Sequence, residues 1–154
     1  MFKFKVEGMR GLERSLKRLG EVPQKHVTSS ARKGMNIILH EARREAPVDE
    51  GYLKKGMKLA RGERSKVKGK KVYPIVFDER WNHVFQKKNK AGKVSGYYPV
   101  SQEYGYFTKN GKYIPGYAFI RGSLEDKAPE MERAVIDTMK QKIDAEIRKG
   151  GLHG

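Results

Sequence analysis

The chain has no cysteine, which excludes disulfide scaffolds, thiol catalysis and cysteine-ligated zinc. It has one tryptophan and four histidines, His26, His40, His83 and His153. No stretch approaches the roughly 20 consecutive apolar residues of a membrane helix, and the mean hydropathy is −0.79. A secretory signal is not expected, because Met1-Phe2-Lys3-Phe4-Lys5 alternates where an apolar h-region would be continuous. Acid is scarce as well: 18 Asp+Glu against 34 Lys+Arg leave a formal net charge of +16 over 154 residues. The expectation is a soluble, very basic globular protein made inside the cell. Its length fits one domain, and a chain of roughly this size can bury about two-thirds of its unfolded surface.

The positive charge is uneven. Residues 1–50 carry 11 basic and 7 acidic side chains, residues 51–100 carry 14 and 3, and residues 101–154 carry 9 and 8. The middle third therefore owns the imbalance, which describes a patch and not merely a high isoelectric point. Two runs make it up: Lys66, Lys68, Lys70 and Lys71, then Lys87, Lys88, Lys90 and Lys93. Gly69 and Gly92 accompany them, so both read as exposed turns or mobile loops, about 62–71 and 86–97. Two readings stand side by side: a solvated hairpin tip kept soluble by lysine, and a surface that faces a polyanion.

Periodicity sets the elements. Phe2 to Val6 alternates as a half-buried strand, and Leu12, Leu16 and Leu19 stripe a short helix. Val27, Ala31, Met35, Ile38, Ala42 and Ala46 recur at steps of three or four, widened by Ile37 and Leu39, and predict a helix central to the core. It must end near Ala46, since Pro47 disfavours helical geometry in the residue before it. Met57 to Ala60 and Val72 to Phe77 read as strands, the second broken or at an edge because Pro74 lacks an amide donor. Trp81 to Phe85 fits a helical turn or a strand. Tyr97 to Tyr106 reads as part strand, part turn, and Asn110-Gly111-Lys112 as a turn. Leu124, Ala128, Met131, Val135, Met139, Ile143 and Ile147 stripe a final helix with Ser123 as N-cap. The expected architecture is α+β: one domain over 1–149, with an antiparallel sheet packed by the long helix and the C-terminal helix, and a dispensable tail at 150–154.

Catalytic constellations are sparse. His40-Glu41 has no second histidine three or four residues away to complete a zinc site. No glycine-rich phosphate loop ends in Gly-Lys-Ser/Thr, and Gly62-Glu63-Arg64-Ser65 is no nucleophile elbow. Asp78-Glu79 could contribute to a metal-dependent nuclease site, but adjacent strand residues point to opposite faces. The expectation is no enzyme, no metal and no cofactor.

Two segments are more constrained than composition requires. One is Ala46-Pro47-Val48-Asp49-Glu50-Gly51-Tyr52-Leu53; the other is Tyr98 to Gly105 with Pro115-Gly116-Tyr117-Ala118-Phe119-Ile120. Both are explicable as turns that pack aromatic and apolar side chains before a helix. In order, however, Pro47, Asp49, Gly51, Leu53, Glu103, Gly105, Pro115 and Phe119 resemble the neck or tail-completion family of long-tailed bacteriophages and prophages. The resemblance spans roughly residues 3–148. Glu50 stands where that family usually has Thr, Tyr106 where a Thr often follows the glycine, and the stretch Lys87 to Gly96 is longer than usual.

The resemblance implies a structural virion protein made in the host bacterial cytoplasm. It would form a ring, often a hexamer, between the connector and the tail tube. A tail-tube terminator of the same architecture and a stand-alone nucleic-acid-binding protein are the alternatives. Implied partners are further copies of itself, the connector or stopper and tail proteins, and double-stranded DNA in the channel, with no membrane. Phosphate attraction needs only clustered Lys and Arg. An acidic face of a neighbouring ring protein is an equally physical partner for the lysines.

Overall fold

The computed structural model describes residues 24–61 and 71–149. The expected strand at Phe2–Val6, the helix carrying Leu12, Leu16 and Leu19, and Lys66, Lys68 and Lys70 lie outside the described residues.

Helix α1 spans Gln24–Glu45, and α2, Tyr52–Gly56, follows after a corner. Strand β1, Met57–Leu59, pairs antiparallel with β2, Ile75–Phe77, in the register Met57–Phe77 and Leu59–Ile75. A 3₁₀ turn, Glu79–Trp81, runs into α3, Asn82–Phe85. A hairpin follows, β3 at Gln86–Lys88 and β4 at Val94–Tyr97, then α4 at Tyr98–Tyr104. A second hairpin, β5 at Tyr106–Phe107 and β6 at Tyr113–Ile114, leads to α5, Phe119–Lys149. The α+β class holds and every strand pair is antiparallel. Where one sheet is expected from the sequence, the described strands form three separate two-stranded ladders. Each strand is only two to four residues long. β2 begins directly after Pro74, whose carbonyl still accepts from the Ala60 amide at 2.9 Å.

The core is the seam between α1 and α5. Met35, Ile38, Leu39 and Ala42 of α1 are buried with Met131, Val135 and Met139 of α5, as the two stripes predict. Gly34 sets their distance: a Cβ there would lie 2.5 Å from Val135 Cγ2 and 3.0 Å from Met131 Cγ. The helices approach where one side chain is missing. Leu53, Met57, Ile75, Phe77, Phe85 and Phe119 continue the same cluster. Phe85 meets Phe77 and Tyr97 edge-on, at 5.6 and 6.0 Å between ring centroids, a favoured aromatic geometry. The guanidinium of Arg43 donates to the Met57 carbonyl and ties the end of α1 to β1.

Two expectations need correction. Tyr98–Tyr104 is a helix, not strand and turn: Pro99 sits in its first turn, where its fixed φ suits a helix and its missing amide costs nothing. The last helix starts at Phe119, four residues before Ser123. Ser123 is buried inside it and donates to the Phe119 carbonyl at 2.5 Å, so it is not an N-cap.

Candidate functional site

The two family-like segments become two built corners. At the first, Pro47 follows the last bonded turn of α1, closed by the Ala46 amide on the Ala42 carbonyl at 2.9 Å. Gly51, at φ 75°, begins α2 in a left-handed conformation that glycine adopts without strain. That turn drives Leu53 into the core at 2% exposure, while Asp49 stays exposed. Asp49, Glu50 and Gly51 rim a shallow cleft of about 270 Å³ floored by Leu53, Val84 and Tyr98.

The second corner is a clamp around Glu103. Its carboxylate, 3% exposed, accepts from the backbone amides of Ile120 at 2.9 Å and Arg121 at 3.0 Å. Those are two of the amides that a helix start leaves without intrahelical partners, so Glu103 caps α5 from sixteen residues upstream. The Glu103 and Gln102 carbonyls accept from Ala118 and Tyr117 at 3.1 and 2.7 Å. Such a crossing needs glycine. A Cβ on Gly105, whose φ is 86°, would lie 2.3 Å from the Ile114 carbonyl, and one on Gly116 would lie 2.4 Å from the Glu103 carbonyl. Phe119 is buried beneath the clamp and Pro115 lies exposed on its edge. Burial pushes the Tyr98 phenol above its ordinary pKa, with smaller contributions from nearby Asp49 and Tyr117. Tyr98 thus sits between the two corners.

From this clamp stands the β5–β6 ribbon. Its strands pack chiefly on each other, and Tyr104, Tyr106, Phe107, Tyr113 and Tyr117 are all exposed, Phe107 at 73% and Tyr117 at 67%. Phe107 and Tyr113 face across the strands with rings 5.2 Å apart, and the Tyr113 hydroxyl donates to the Tyr104 carbonyl at 2.6 Å. Such a concentration of exposed aromatics is the composition of a protein contact surface. Nothing in the charge pattern points to it.

The lysines fall in two places. Lys87, Lys88, Lys90 and Lys93 are exposed on the β3–β4 hairpin, the hairpin tip that is one of the two readings of this run. Asn89 builds its turn: the side-chain oxygen accepts from Ala91 and Lys93 amides at 3.0 and 2.9 Å, and Gly92 takes φ 76°. Lys71, with its ammonium 5.9 Å from the Tyr73 ring centroid, lies instead in a groove of about 630 Å³ with Arg32 and Arg61. Of the first run only Lys71 lies within the described residues.

Of the Asp78-Glu79 pair, Asp78 is buried and engaged with basic side chains, while Glu79 is exposed. The Asp78 carboxylate accepts from Arg80 through Nη2 at 2.8 Å and Nε at 3.1 Å, caps the Arg80 amide at 3.1 Å and pairs with Lys58 at 3.1 Å. Among the described residues no group of three His, Cys, Asp or Glu is placed to hold a metal, and no helix is long and apolar enough to cross a membrane. The Arg80 hydrogen bonds, then Lys58, hold the Asp78 carboxyl well below the usual carboxylate range. A folded-state value below the unfolded one contributes stability above about pH 4 that is lost as the pH falls further. Thermal melts from neutral pH down to about pH 3 should therefore hold wild type and Asp78→Asn furthest apart at the upper end and narrow the gap, without closing it, at the lower. Parallel curves would refute this role of the ion pair.

Comparison of the chain with protein-family models, with curated proteins and with solved structures returns no match.

Proposed function

We propose that this protein is a structural subunit of a phage head–tail junction, a neck or tail-completion protein that assembles around the channel joining connector to tail tube. One observation carries the reading. Six of the eight residues that carry the resemblance, Pro47, Gly51 and Leu53 on one side and Glu103, Gly105 and Phe119 on the other, build or underlie the two corners, while Asp49 and Pro115 stay exposed. The clamp in turn holds out an aromatic ribbon suited to protein contact, and the lysines of the β3–β4 hairpin supply a charged surface for duplex DNA or for an acidic neighbour.

The groove formed by Arg32, Arg61 and Lys71 favours the second reading, a stand-alone nucleic-acid-binding protein. Electron microscopy of lysates from a phage lacking the gene separates the two. The neck reading predicts filled heads and finished tails lying apart, with infectious titre reduced by orders of magnitude. Joined, infectious particles would overturn it.

A further inference from the structure

We infer that the aromatic β5–β6 ribbon docks on the acidic outer face of α5 in a second copy of this chain, so that successive copies are joined head to tail. The inference rests on the neck reading and names the contact by which the subunits would assemble.

The ribbon has the properties of a docking arm. A two-stranded hairpin by itself is marginal in water, yet this one is anchored at its base by the Glu103 clamp and by the Tyr113–Tyr104 bond. It is therefore pre-organised, which lowers the entropy lost on binding. Its exposed aromatics lie with Lys109 and Lys112 at the turn, and residues 104–124 contain no acidic side chain. The partner surface should be acidic, with an apolar foothold.

In a chain of net charge +16, α5 supplies such a surface. Asp126, Glu130 and Asp137 are exposed at helical spacing on one face, with Arg133 between them and Lys140 exposed at the next step. Glu130 is also paired with Lys127 at 3.3 Å. Pro129 lies exposed beside them within the helix. Its ring is an apolar platform for an aromatic side chain, and its missing amide leaves the Glu125 carbonyl without its helical donor. Charge and apolar surface thus match the ribbon on both counts.

The geometry favours a second copy over self-contact. The acidic face lies about 10–27 Å along α5 from its start, at 1.5 Å per residue, whereas the ribbon ends beside that start. Two different patches on one chain make a heterologous contact, which closes into a ring when the rotation permits. The acidic rim at Asp49 and Glu50 is a poorer receptor, because Tyr98 places it beside Tyr117 at the ribbon's own base.

The test uses two exposed-surface variants and their mixture. Phe107→Ser with Tyr117→Ser disables the ribbon; Asp126→Lys with Glu130→Lys disables the α5 face. Lys109→Glu with Lys112→Glu serves as a second ribbon variant should the first lose its fold. By sedimentation at micromolar concentration, wild type should form multimers and each variant should sediment as one 17.7 kDa chain. Mixing a ribbon variant with the α5 variant leaves one intact contact, so the mixture should yield pairs at twice that mass and nothing larger. Variants that still form multimers, or a mixture that stays single, would overturn the contact. If wild type forms multimers and both variants do too, another surface builds the assembly and the neck reading stands. Wild type sedimenting as a single chain overturns the contact, and the lysate experiment then judges the neck reading alone.

Discussion

Val135→Asp should abolish the cooperative thermal transition of this protein. Val135 is 3% exposed and packs directly over Gly34 at the α1–α5 seam. Gly34 and Met131, which lie against it, offer a carboxylate no partner. A carboxylate there would be buried without a partner, and an uncompensated buried charge costs about 3–5 kcal/mol. That reaches the lower end of the roughly 5–15 kcal/mol by which domains are stable, and the carboxylate also displaces the apolar packing at the seam. Ile38, fully buried on the facing helix, should behave alike. Circular dichroism on heating checks this. A variant that melts at the wild-type temperature would mean that the seam is not the centre of the core.

Glu103→Ala should be the next most damaging change, although it removes no apolar packing. It strips the carboxylate from the Ile120 and Arg121 amides in a site too buried for water to replace it freely. Losing a charge-assisted pair and leaving donors unsatisfied costs about 2–4 kcal/mol, which for a chain of this size lowers the melting temperature by on the order of 10 °C. Glu103→Gln keeps one acceptor oxygen and should lose less. Hydrogen exchange provides the local readout, with Ile120, Arg121 and the β5–β6 ribbon losing protection before α1. Unchanged protection at Ile120 and Arg121 would show that the clamp is not what starts α5.

The seam was legible because helix packing writes itself into sequence at steps of three and four. Met35, Ile38, Met131, Val135 and Met139 carried that signal without reference to anything distant. Pro47 as the end of α1 and Gly111 as a turn were legible for the same local reason. The start of α5 was not. Ser123 has the chemistry of an N-cap, but the true cap is a carboxylate sixteen residues away, and no local pattern reveals a side chain that reaches across a hairpin. The helix at Tyr98–Tyr104 was obscured by its aromatics, which favour strands as a class; Pro99 after a tyrosine pair was the available clue. Nothing local marks Gly34 within a helical run, because its reason is the approach of α5. The lysine runs stand out by composition alone. The exposed aromatics of the ribbon and buried ones such as Phe85 and Phe119 are the same residue types, so composition does not separate ribbon from core.

The central claim is that this chain joins heads to tails, and add-back to a lysate lacking it tests that most directly. Separate heads and tails from the gene-deleted phage are mixed with purified protein and infectious particles are counted. The account predicts that wild type raises the titre by orders of magnitude, and that Glu103→Ala protein, weakened at the clamp, raises it less. A titre that stays at the background level with folded wild-type protein present would contradict it.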